Sequence, residues 1–152
     1  MHAFHPSVLF DHLTLQSMPL LALIGHGGAT DVLPRERAGR PRIMTKYHPD
    51  DGYHAARFDP GDFDPLYRAG SYLIFVTGTV RDAVVNRPAM FALIGGGGWF
   101  GMVDQVTADA IRIRPIRAGR PAAAIPRDRV EMVYIPVDRL PDSATVGGLD
   151  ER

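Results

Sequence analysis

Apolar residues along most of this chain come in short runs bounded by Gly, Pro or Asp, a pattern that favours strands over long helices. The runs predict strands at 19–24, 53–58, 72–76, 89–94, 99–106, 110–116 and 130–137. Ile111-Arg-Ile-Arg-Pro-Ile116 alternates cleanly, so one of its faces belongs to a core and the other to solvent. Only Val8–Gln16, with apolar positions 8, 9, 12 and 15, roughly follows helical spacing and predicts one short helix near the amino terminus. The stretch 31–52, rich in charge, Pro and Asp, reads as a long excursion, and the segment after Leu140 reads as a frayed tail. The organisation expected is an amino-terminal extension over 1–17, one β domain over 18–140 and a tail over 141–152, with no repeat and no second domain.

Composition narrows the picture. At 152 residues and 45% hydrophobic, the chain can build one sizeable core. Sixteen Gly and thirteen Pro leave little room for long helices, so the class is mostly β. Seventeen basic residues balance seventeen acidic ones, and bulk charge therefore does not drive the chain onto DNA or an anionic membrane. With no cysteine there is no disulfide framework, zinc ribbon, iron–sulfur cluster or thiol nucleophile, which suits a reducing compartment. The apolar run from Met18 to Gly25 is too short to span a bilayer, and no Lys or Arg precedes Arg35, so the expected location is the cytoplasm, without a membrane partner.

The candidate chemistry is sparse. Gly96-Gly-Gly-Trp-Phe-Gly101 satisfies G-x-G-x-x-G, yet Trp99, Phe100, Met102 and Val103 continue as a strand where a dinucleotide site needs a helix, so a hairpin turn is predicted. Neither this run nor any other motif calls for a cofactor. Arg37-Ala-Gly-Arg-Pro-Arg42 contains a Gly-Arg-Pro core of the kind that lies in a narrow minor groove, making Arg37, Arg40 and Arg42 the candidate DNA contacts. Arg117-Ala-Gly-Arg-Pro121 repeats the tripeptide in a predicted turn. His2, His5 and His12, or His48 and His54 around Asp50 and Asp51, match no compact metal-binding spacing, so no metal is expected. Of the four serines, Ser71 stands in a turn leading into a strand, and no Gly-x-Ser-x-Gly elbow is present.

In its order of segments the chain resembles the carboxy-terminal domain of LexA-type and phage repressors, a self-cleaving serine peptidase-like β fold. The resemblance rests on Pro19-Leu-Leu-Ala-Leu-Ile-Gly-His-Gly-Gly-Ala29 for the strand and cleavage loop, and on Gly61-Asp-Phe-Asp-Pro-Leu-Tyr-Arg-Ala-Gly-Ser-Tyr-Leu-Ile-Phe75 for the segment bearing the nucleophile. Trp99-Phe-Gly-Met-Val103 takes the place of the lysine-bearing strand, and Ile125-Pro-Arg-Asp-Arg-Val-Glu-Met-Val-Tyr134 that of the final strand. It implies a partly open β barrel or clip covering about residues 18–137. It also implies that both catalytic groups are missing. Asp62, or a one-residue deletion, falls at the serine position; Gly101 falls at the lysine position; and His26-Gly27 replaces the Ala-Gly bond that the family cleaves. Residues 1–17 are too few for the three-helix DNA reader that accompanies this domain in the family.

The function expected is that of an inactive regulatory module in bacterial or phage gene control. It would bind itself or another LexA-fold or regulatory protein through 130–137, with Met132, Tyr134 and Val137 as contacts and a strand edge supplying hydrogen bonds. Two readings compete with it: an active hydrolase using Ser71, Asp62 or His26, and a small DNA-binding accessory using Arg35 to Arg42.

Overall fold

A computed structural model describes residues 15–33, 42–59, 67–114, 116 and 122–141. Its strands are β1 (Gln16–Pro19), β2 (Ala22–Ile24), β3 (Ala29–Val32), β4 (Arg42–Thr45), β5 (Tyr53–Phe58), β6 (Tyr72–Gly78), β7 (Pro88–Leu93), β8 (Gly98–Val106), β9 (Ala110–Arg114), β10 (Ala123–Pro126) and β11 (Val130–Leu140). Strands make up 59% of the described residues, which contain no helix of seven residues or more, so the mostly β reading holds.

The barrel is closed, whereas a partly open one was expected. Seven strands run β3-β2-β5-β6-β11-β7-β8, and β8 returns to β3. Every pairing in the ring is antiparallel except β2 with β5. Closure follows from β7, which pairs with β8 along Pro88–Ala92 and with β11 along Met90–Leu93. A ring closed in this way leaves few strand edges to solvent. Beyond the ring, β9 and β10 extend the sheet from β8 as an outer flap, and β1 pairs with β4 in a separate two-stranded ribbon.

This layering explains the continuous apolar runs. In β6, Leu73 and Phe75 enter the lumen while Tyr72 and Ile74 lie beneath the β1–β4 ribbon with Met18 and Ile43. In β7, Met90 and Ala92 enter the lumen while Ala89 and Phe91 lie beneath the flap with Val103, Ile111, Ile113 and Ile125. A strand covered on both faces has no polar side to show, so its sequence does not alternate. By contrast β9 has only one covered face, and its alternation is literal: Ile111 and Ile113 are buried while Arg112 is exposed.

The lumen is filled by aromatic rings. Phe58 stacks on Tyr67 at 4.8 Å between centroids, and Phe100 meets Phe58, Tyr67 and Phe75 edge-on at 5.4, 5.6 and 6.4 Å. Each such pair contributes about 0.5–1.5 kcal/mol beyond the area it buries.

Several boundaries differ from the expectation, each for a tertiary reason. The 19–24 run divides because Pro19 ends a ribbon strand and Ala22 begins a barrel strand; between them Leu20 is fully buried and the Leu21 amide donates to the Ala55 carbonyl at 2.8 Å. The 31–52 excursion contains the end of β3 and all of β4, in which Ile43 and Thr45 are buried while Arg42 and Met44 are exposed. Gln16 opens β1 and does not end a helix; residues 8–14 lie outside the described residues, as does the tail from 142. A short 3-10 turn at Arg127–Arg129 divides the Ile125–Tyr134 segment between β10 and β11. The glycine run does form the predicted hairpin turn. Gly95, Gly96 and Gly97 all have positive φ between the antiparallel β7 and β8.

A polar clasp ties the segment before β5 to the end of the barrel: the Tyr47 hydroxyl donates to Asp138 Oδ2 at 2.6 Å. That hydrogen bond, with lesser help from burial, pushes the Tyr47 pKa from its ordinary value near 10 up to about 12. Because the raised value belongs to the folded state, the stabilisation is complete below pH 10 and is lost as pH rises through about 12. Chemical denaturation of the wild type and of Tyr47→Phe should therefore show the wild-type advantage shrinking between pH 10 and 12. An advantage independent of pH across that window would show that the clasp does not form.

Candidate functional site

Parts of three of the four segments that carry the resemblance meet at one end of the barrel, the second of them described only from Tyr67 onward. Along one edge β8 pairs with β7; along the other, β3 pairs at Gly98 and Trp99, and β9 begins only at Met102. Between them lie Phe100 and Gly101, against which the His26–Gly28 turn packs. Gly28 sits at φ +97° with its Cα so close to β8 that a Cβ there would overlap the Phe100 carbonyl oxygen. A side chain is excluded twice at this position, by conformation and by space. The turn is fastened by the Gly25 amide donating to the Ala29 carbonyl at 2.7 Å and the buried Thr30 hydroxyl donating to the Gly28 carbonyl at 2.9 Å.

Tyr67 completes the mouth from the motif ending at Gly70. Its ring packs between Phe58 and Phe100, and the Arg139 guanidinium stands over it at 5.6 Å. Burial pushes the Tyr67 hydroxyl above its ordinary pKa, with Arg139 opposing the shift. Ile116 packs against the same lumen cluster just past the end of β9. Asp62 lies outside the described residues.

Gly101 points the other way. A Cβ there would overlap Ile113 Cγ2 and come within 2.9 Å of the Arg114 carbonyl oxygen, because the end of β9, paired beside β8 at Met102, lies against this position. The position that the resemblance gives to a lysine therefore has no room for any side chain. The chain's only lysine, Lys46, lies on the ribbon side, its ammonium 5.6 Å from the centre of the Tyr47 ring.

The other candidates are engaged elsewhere. Ser71 Oγ donates to the Arg68 carbonyl at 2.6 Å, and the Ser71 carbonyl accepts from the Phe58 amide at 3.0 Å. His48 meets Gln16, while His54 meets Thr77 at 3.1 Å and the edge of Tyr134. Among the described residues no three His, Asp or Glu side chains come together to hold a metal ion. Of the DNA candidates, Arg37 and Arg40 lie outside the described residues, and Arg42 opens β4 with its guanidinium donating to the Ser17 carbonyl at 3.0 Å.

The expected contact strand, β11, lies between β6 and β7 and is paired on both sides only at Val133 and Tyr134; Val130 and Met132 pair with β7 alone, and Ile135–Leu140 with β6 alone. Tyr134 is buried in the lumen and Met132 packs partly against the same cluster, because closure of the ring turns this face inward. Of the three proposed contacts Val137 alone is exposed, at 49%, at the irregularity between Pro136 and Asp138.

No family model matches the chain, and no curated protein matches it. No helix among the described residues is long and apolar enough to cross a membrane. What the chain offers is a tight apolar mouth made by backbone approach. The role of Gly28 there was hidden in sequence, since the glycines of His26-Gly-Gly28 look alike and only the nearness of β8 separates them. Gly101 carried one signal, a glycine inside an otherwise bulky strand, which marks a close approach.

Gly101→Lys should lower unfolding stability by about 1–3 kcal/mol or more through overpacking. Gly101→Ala should lie between it and the wild type. Urea titration checks both, and a lysine variant as stable as the wild type would contradict the close approach of β9 to Gly101.

Proposed function

We propose that this chain is a catalytically silent relative of the LexA-type repressor domain, acting as a regulatory module that binds proteins, itself included, in bacterial or phage gene control. The observation that carries the reading is the meeting of the His26–Gly28 turn, the Tyr67 segment and Phe100-Gly101 at one mouth, with the end of β9 against Gly101 where the resemblance asks for a lysine. Peptide-bond hydrolysis by a serine needs a base to take its proton, and in that arrangement the base is a desolvated, neutral lysine. Here Lys46 is committed to the Tyr47 side of the molecule, and Arg holds its proton too firmly to substitute. A domain that keeps such a mouth without the chemistry is suited to holding contacts with other proteins.

The test is incubation of the purified protein at pH about 10, where a lysine base is becoming neutral. The expected outcome is one intact species by mass spectrometry. Two fragments meeting near His26-Gly27, absent from Ser71→Ala, would instead establish a hydrolase. Duplex DNA retention that weakens steeply with salt would favour the accessory reading.

A further inference from the structure

The ring is closed but has one wedge-shaped opening. β7 stays with β8 back to Pro88, while its pairing with β11 stops at Met90 and Tyr134. Where the two strands part, a groove of about 340 Å³ is lined by Asp82, Val84, Arg87, Pro88, Ile135 and Pro136. Its walls are largely apolar, and Val84 is 56% exposed. Next to this hollow stands a projection. The turn Val84–Arg87, closed by the Arg87 amide donating to the Val84 carbonyl at 3.0 Å, carries Val85 outside the groove at 47% exposure. That turn is held rigidly to β8, since the Asn86 amide donates to the Val103 carbonyl at 2.7 Å and the Val103 amide donates to the Arg87 carbonyl at 2.9 Å.

A knob beside a hole on one rigid surface is the requirement for a two-fold contact, in which each copy gives and receives. The charges agree with that arrangement. The Arg87 guanidinium has no partner among the described residues, and the Asp82 carboxylate engages only its own turn, where Oδ2 accepts from the Thr79 amide at 2.7 Å and the Thr79 hydroxyl at 3.2 Å. The groove thus carries one acid and one base that do not pair with each other, and a second copy turned by the two-fold axis brings the opposite sign to each. Little is lost in ordering so rigid a turn on association.

We propose that this groove seats a second copy of the chain, the Val85 turn of each filling the hollow of the other, with Arg87 facing the other copy's Asp82. The proposal rests on the self-binding part of the functional reading and names its surface. Analytical ultracentrifugation of the full chain tests it. The wild type should be a dimer at micromolar concentration. Val85→Asp and Arg87→Asp should each weaken dimerisation by about tenfold or more, as central interface substitutions do, with unchanged thermal melts. Ile94→Asp, equally exposed on the β7–β8 turn, should leave the dimer intact. A wild type that stays monomeric at about 100 μM would overturn the proposal, being weaker than specific interfaces of ordinary size. So would a dimer indifferent to Val85→Asp. Either result leaves the silent-module reading to its own test, because integrity at alkaline pH does not depend on this surface.

Discussion

Two edges of one strand hold this molecule together. β7 hydrogen-bonds β8 on one side and β11 on the other, and that double pairing turns what would be an open sheet into a ring. Once the ring is closed its interior must be filled at close-packed density, and Phe58, Tyr67, Phe75 and Phe100 do so with edge-to-face and stacked contacts. Deleting such a ring costs about 3–5 kcal/mol because the walls of a closed barrel cannot collapse into the space. The same closure makes strands two-sided, so the outward faces of β5–β6 and β7–β11 need their own covers. The ribbon supplies one, with Met18 and Ile43, and the flap the other, with Ile111, Ile113 and Ile125.

The packing at this mouth follows from these covers. For the end of β9 to lie against β8, Gly101 must be bare; for β3 to reach the other part of the same edge, its approach turn must bring Gly28 against the Phe100 carbonyl. The Arg114 carbonyl and the Ile113 side chain therefore occupy the space that a side chain at position 101 would need. The groove is the complement of that close packing: where β7 follows β8 and leaves β11, the sheet opens, and the apolar lining stays on the surface with an acid and a base beside it.

Much of this was legible in one sequence. Ile111-Arg-Ile-Arg-Pro-Ile116 announced a half-buried strand, because a one-sided cover leaves its period of two in the residues. The Gly-rich run before Trp99 announced a hairpin turn, because only glycine takes several successive positive φ values cheaply. What the sequence did not determine was which faces met. Tyr134 and Met132 look like contact residues in a linear reading, and only closure of the ring turns them toward the lumen cluster. The end of β3 and β4 read as loop because each strand has only four residues, and polar ones stand at Thr30, Asp31, Arg42 and Thr45. Closure itself, the meeting of Gly28 with Phe100 and the parting of β7 from β11 depend on contacts between segments far apart in the chain. No local propensity encodes such contacts; they arise when long-range hydrogen bonds and buried rings together outweigh the entropy of bringing those segments into one place.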